Sequence, residues 1–109
     1  AYVSRHAVIG PGTIVMHGAV VNAGARVGQN CIVNTRAVIE HDAAVADHCH
    51  ISTGAILNGG AQVGRGTFVG SGSVVREGVV IGADCLIGMG LAVRHHQEQG
   101  TRFTGGRIS

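Results

Sequence analysis

Residues 51–75, ISTGAILNGGAQVGRGTFVGSGSVV, carry a branched aliphatic side chain at every sixth position: Ile51, Leu57, Val63, Val69 and Val75. Neither the helical period of 3.6 nor the alternation of an ordinary strand produces that spacing. Followed outward, the same phase runs back through Val45, Ile39, Val33, Val27, Val21, Val15 and Ile9 to Val3. It runs forward through Ile81 and Ile87 to Val93 without a break. Four places after each aliphatic stands a small residue over most of the chain, among them Ala7, Ala19, Ala25, Cys31, Ala37, Ala43, Cys49, Ala55 and Ala61. Such a six-residue unit is a short strand and a tight turn, and three units close one triangular coil. Coils then stack as parallel strands about 4.8 Å apart, so each residue lies over the one three repeats further on. The expected fold is an all-β parallel solenoid of roughly five coils. The aliphatic points inward, the small residue fills the corner, and the glycines that follow the aliphatic (Gly10, Gly28, Gly64, Gly70, Gly82 and Gly88) are expected to permit the turn.

Composition agrees with one compact unit: 109 residues, 45% hydrophobic and 13% charged, are too apolar for a disordered tail. All eight basic residues are arginines scattered along the chain, and the formal charge of +2 gives no nucleic-acid footprint. No apolar run reaches the roughly 18 residues of a membrane span, and no signal-peptide pattern opens the chain, so the cytoplasm is the expected location. Cys31, Cys49 and Cys85 all fall on the inward small-residue position and read as core filler. Cys31 and Cys49 are vertical neighbours for which a disulfide is conceivable, with reduced thiols the expected state.

Stacking also singles out NTRAVIEHD, residues 34–42. The vertical neighbours of His41 are Ala23 and Gly59, which leave a notch beside its ring. Asp42 is close enough to accept the proton of one ring nitrogen and leave the other free as a base. Glu40 joins an outward ladder with Asn22, Asn58 and Arg76 and is a secondary candidate for orienting His41 or the acceptor. The competing reading of all three is a solvated turn. His6, His17, His48, His95 and His96 share no stack and read as exposed turn residues. Two outward ladders are apolar: Ile14, Ile32, His50, Phe68, Leu86 on one face, and Val20, Val38, Ile56, Val74, Ala92 on another. Surfaces of that size predict self-association.

The repeat resembles the left-handed parallel β-helix of hexapeptide-repeat acyltransferases. Within that superfamily NTRAVIEHD, followed by HISTGAILNGGAQVGRGTFVGSGSVV at residues 50–75, resembles the sialic-acid O-acetyltransferase and UDP-4-amino-sugar N-acetyltransferase group. The resemblance implies an enzyme that transfers acetyl from acetyl-CoA directly to an amino or hydroxyl group of a sugar, with a nucleotide-linked amino sugar the expected acceptor. It makes His41 the general base, Asp42 its partner and Gly59 the position that meets the thioester oxygen. It also implies a homotrimer with the site between prisms, His50 contacting acetyl-CoA, and a cofactor groove past Ser71, Gly88 and Met89. Arg94, Arg102 and Arg107 are candidates for the cofactor phosphates. The group carries an N-terminal nucleotide-sugar-binding domain, whereas residues 1–109 are expected to be the β-helix alone, with regular coils over 1–93 and a C-terminal cap over 94–109. Two rivals stand beside this reading: a trimeric scaffold without chemistry, and a β-helical carbonic anhydrase holding zinc with three histidines. The latter needs a histidine pair five residues apart, which this sequence lacks, so no metal site is expected.

Overall fold

A computed structural model describes residues 1–105. The chain is a left-handed parallel β-helix built from two-residue strands on three faces. The first face stacks Tyr2–Val3, Val20–Val21, Val38–Ile39, Ile56–Leu57, Val74–Val75 and Ala92–Val93. The second stacks Val8–Ile9, Arg26–Val27, Ala44–Val45, Gln62–Val63 and Val80–Ile81. The third stacks Ile14–Val15, Ile32–Val33, His50–Ile51, Phe68–Val69, Leu86–Ile87 and Arg102–Phe103. Register is constant, with Ile56 pairing Val38 on one side and Val74 on the other. No helix among the described residues is long and apolar enough to cross a membrane.

Why so short a strand suffices follows from where its hydrogen bonds go. The first amide of a strand and the amide just after it donate to the coil below, as Val38 N–H does to Ala55 O at 2.8 Å and Glu40 N–H to Leu57 O at 2.9 Å. A strand of two residues therefore gains stability from its vertical neighbours, never alone. The second residue of each strand points inward, and Ile39, Ile51, Leu57, Ile81 and Ile87 are almost completely buried. Burying each contributes roughly 1.5–3 kcal/mol. Val3 occupies the same inward position in the first described coil and is 40% exposed there.

The solenoid has about six turns, one more than the repeat count alone suggested. The difference arises after Val93, where the six-residue phase lapses but stacking continues. Gln97 bridges Ile81, and Arg102 pairs with Leu86, a step of 16 residues where the regular coils use 18. His96 Nδ1 accepts the Val80 N–H at 2.8 Å in this shortened turn, so it has a backbone partner that its exposed position did not reveal.

The glycines after the aliphatic do something other than make the turn. The left-handed backbone of each corner lies two residues later, at Gly12, Gly24, Gly60 and their equivalents, and at Asn30, Arg36, Asp42, His48 and Asp84 where glycine is replaced. Gly10, Gly64 and Gly70 have no positive φ. A Cβ on any of them would come within 2.6 Å of the next coil's backbone, which is why the side chain is missing there.

Candidate functional site

His41 and Asp42 sit on the corner between the first and second faces. Asp42 adopts φ +61° there and its amide donates to Ala23 O at 3.1 Å, which fixes the carboxylate beside the ring. His41 Nδ1 lies 3.3 Å from Asp42 Oδ2. A carboxylate accepts only, so Nδ1–H donates and Nε2 keeps its lone pair. Both side chains are more than 70% exposed, so the pair orients the ring without adding much to stability.

Two glycines make room for this pair. A Cβ on Gly59 would stand 2.7 Å from both Cε1 and Nε2 of His41, so the imidazole lies directly on the Gly59 backbone. On the opposite side a Cβ on Gly24 would collide with Asp42 Oδ1. Among the described residues the Gly59 N–H has no hydrogen-bond acceptor. Beside the ring is a cleft of about 420 Å³ lined by Glu40, His41, Asn58, Gly59, Arg76 and Glu77. Glu40 is half-buried in its wall, and Asn22 Nδ2 donates to its Oε1 at 2.7 Å, as the ladder spacing anticipated.

The other predicted residues lie elsewhere. His50 projects from the third face, edge-on to Phe68 at a centroid distance of 5.1 Å. Its Nε2 is 3.1 Å from Asn34 Nδ2. The Asn34 carbonyl is occupied by the Thr35 N–H at 2.7 Å, so the amide NH2 faces the ring, Nε2 accepts, and the neutral ring carries its proton on Nδ1. Asn34 and Thr35 were not singled out by sequence, although Asn34 opens the same NTRAVIEHD stretch. Ser71 lies on the corner between the third and first faces, its Oγ 2.9 Å from that of buried Ser52. Gly88 and Met89 occupy the same corner one coil on, with Met89 74% exposed. The structure thus gathers Glu40, His41, Asp42 and Gly59 at one edge of the first face, and sets Ser71, Gly88 and Met89 at its other edge with His50 on the adjoining third face. Within one chain the two groups do not meet.

Of the candidate arginines, Arg94 is on the His41 edge and Arg102 on the third face, while Arg107 lies outside the described residues. The three cysteines are buried and free. Cys31, Cys49 and Cys85 donate to Ala46 O, Gly64 O and Glu98 O at 3.0–3.1 Å, matching what Thr67 and Ser73 do at the same corner position. Burial pushes the Cys49 thiol from 9.0 up to about 11, so it stays a donor well above neutral pH. Among the described residues no three His, Cys, Asp or Glu side chains converge as a metal-binding group.

The family model described as bacterial transferase hexapeptide (six repeats) matches residues 1–41 and 60–95. The chain belongs to this hexapeptide transferase family. A search of curated proteins gave no match. Among solved hexapeptide transferases, the acetyltransferase domain of PglB from Neisseria gonorrhoeae FA1090 is 35% identical with a TM-score of 0.90, the alignment covering 91% of this chain and 48% of that one. The same domain has been solved in complex with acetyl coenzyme A. PerB from Caulobacter crescentus, solved in complex with CoA and GDP-perosamine, is 38% identical with a TM-score of 0.89, covering 90% of this chain and 47% of that one. A histidine-to-asparagine variant of perosamine N-acetyltransferase from the same organism is 36% identical with a TM-score of 0.87, over 90% and 47% of the two chains. This hexapeptide transferase chain therefore spans about half the length of its solved relatives.

Proposed function

We propose that the chain transfers acetyl from acetyl-CoA to an amino or hydroxyl group of a sugar, with His41 as general base. One arrangement carries the reading. An imidazole lies on Gly59, is oriented by Asp42, and keeps Nε2 free at an open cleft, in a chain 35–38% identical to the PglB domain and PerB. The acceptor's lone pair attacks the thioester carbonyl carbon while His41 Nε2 removes its proton. The carbon–sulfur bond then breaks, and the thiolate leaves as CoA–SH with the proton held by the imidazolium. No covalent acyl-enzyme is needed, in keeping with three buried cysteines. Asp42 is a positioning residue that holds the tautomer. The unpartnered Gly59 N–H is suited to the oxyanion, a contribution of roughly 3 kcal/mol for such a donor. Glu40, steadied by Asn22, keeps its second oxygen for an acceptor hydroxyl or amine.

The cofactor half of this proposal consists of the His50 Nδ1–H, Ser71, Gly88 and Met89. Since one chain keeps these apart from His41, the complete site would form between copies. A homotrimer is the proposed assembly, with the exposed Ile32 and Phe68 of the third face covered by neighbours. A nucleotide-linked amino sugar is the proposed acceptor, by analogy with the GDP-perosamine bound to PerB. Acetyl-CoA use and reduced thiols fit the cytoplasm.

The test is release of free CoA thiol from acetyl-CoA in the presence of nucleotide-linked amino sugars, with the acetylated product identified by mass. Cofactor binding without release for any amino-sugar acceptor would instead support a catalytically silent scaffold. Sedimentation of the purified protein as a monomer at micromolar concentration would overturn the shared site.

A further inference from the structure

Below His41 the same corner carries two arginines that nothing among the described residues neutralises. The outward ladder runs Ser4, Asn22, Glu40, Asn58, Arg76 and Arg94, and its backbone register holds throughout: Glu40 N–H donates to Leu57 O, Asn58 N–H to Val75 O, and Arg76 N–H to Val93 O, at 2.9–3.0 Å. Arg76 and Arg94 therefore stand one above the other about 5 Å apart at the backbone. Like charges directly opposed on neighbouring strands are destabilising. Among the described residues neither guanidinium reaches a carboxylate, since the one ion pair is His41 with Asp42. Glu77, next to Arg76 in sequence, lines the cleft without pairing to it. A second concavity of about 400 Å³ is lined by Asn58, Val74, Arg76, Ala92, Val93 and Arg94. It shares Asn58 and Arg76 with the His41 cleft, so the two concavities adjoin and form a trough along this edge of the first face only if a ligand spans both.

We infer that Arg76 and Arg94 form an anion subsite of this trough, and that it takes the phosphate of a sugar phosphate or sugar diphosphate whose acceptor group reaches His41. The inference rests on the proposed acetyl transfer for the identity of the ligand, but not for the existence of the subsite. Two coils separate the His41 level from Arg76, about 10 Å along the axis, and three separate it from Arg94, about 14 Å. A pyranose with phosphate on its anomeric carbon and the acceptor group across the ring bridges such a gap once the arginine side chains reach toward it. Planar guanidinium forks match phosphate oxygens in pairs, and a bridging phosphate turns the repulsion between the stacked cations into attraction to a shared anion. Arg102 is on another face, so it does not belong to this subsite.

Arg76→Gln, Arg94→Gln and the double variant keep most of each side chain's stem on an exposed corner, and unchanged thermal midpoints would verify folding. Binding of inorganic pyrophosphate, followed by calorimetry on the otherwise unaltered protein, should weaken about tenfold for each arginine removed, the effect expected when a hydrogen bond to a charged group is lost. Glu77→Gln should tighten it. In turnover, the KM for a phosphorylated amino sugar should rise by a similar factor, while those for acetyl-CoA and for the unphosphorylated sugar stay within twofold. Equal pyrophosphate affinity in wild type and the double variant would overturn the subsite. A rise confined to the KM of acetyl-CoA would assign the arginines to the cofactor's phosphates and overturn the acceptor inference. Because pyrophosphate binding needs no turnover, failure to find an active acceptor would leave this result readable.

Discussion

Two successive corners of one coil each hold an aspartate beside a histidine, in opposite order: His41–Asp42 and Asp47–His48. At the first corner the histidine is second in the turn and leans onto Gly59, leaving the aspartate, at φ +61°, to accept from its ring. At the second corner the aspartate takes that inner position and leans back over Gly28, where its Oδ1 accepts the Gln29 N–H at 2.9 Å. His48 inherits the left-handed backbone, also at φ +61°, and no ion pair joins it to Asp47 among the described residues. Exchanging two residues on the same scaffold thus separates an oriented imidazole from a stapled turn. Position within the corner, and the size of the residue one coil away, decide what a histidine can do.

The largest effect should come from removing the imidazole at the first corner and comparing it with the second. His41→Ala should lower acetyl transfer by about 10²-fold or more, the usual contribution of a positioned general base, whereas His48→Ala should leave the rate within about twofold. Thermal midpoints of both should match the parent. Comparable activity in His41→Ala would erase the distinction between the corners.

The next test separates room for the ring from backbone strain, using adjacent glycines. Gly59→Ala puts a methyl against the His41 ring, at a position without positive φ. The ring is the end of a flexible side chain, so it swings aside and stability changes little, but a displacement of about 1 Å can lower the rate about 10²-fold. Gly60→Ala meets nothing within 4 Å, yet sits at φ +71°, so its expected effect is a loss of about 1–2 kcal/mol in stability with near-normal transfer. Denaturant titration beside a rate assay reads both. Reversal of the two outcomes would mean that the ring does not depend on Gly59.

Asp47→Ala should have a smaller effect, confined to stability. The Gln29 N–H loses its acceptor on an exposed corner, and such a bond contributes roughly 1 kcal/mol. Transfer should be unaltered. A rate loss resembling that of a disabled His41 would join the two corners into one site and dissolve the comparison.

What sequence could tell about these corners depended on the coil's periodicity. The vertical relation of Gly59 to His41 and of Asn22 to Glu40 follows directly from the repeat, and both contacts are present. The Asn34–His50 bond spans 16 residues and was missed, because it joins a corner to a strand and not two equivalent positions. Gly24 also escaped notice: its role depends on the rotamer of Asp42, which the spacing does not contain. The turn glycines were misassigned because two glycine-rich positions occur per corner, and only the backbone angle distinguishes the one that makes the turn from the one that admits the neighbouring coil. Past Val93 the register shortens by two residues, which no extrapolation of a six-residue phase foresees.

The smallest effect at neutral pH concerns the residue that closes the second corner. Cys49 is buried, donates its S–H to Gly64 O at 3.0 Å, and has its thiol raised from 9.0 to about 11 by burial. Between those values the unfolded chain has released the proton while the folded chain still holds it. Stability must therefore fall as pH rises above about 9, and below that the thiol contributes no pH dependence. Cys49→Ser keeps a donor of the kind Ser73 supplies to Gly88 O at 2.6 Å, but removes the titration. Denaturation midpoints of the two proteins, followed from about pH 8 to pH 11, should diverge above pH 9 with the serine variant declining less. Parallel decline would mean that the Cys49 thiol ionises as readily inside the coil as outside it, and the second corner would then be no more tightly closed than the first.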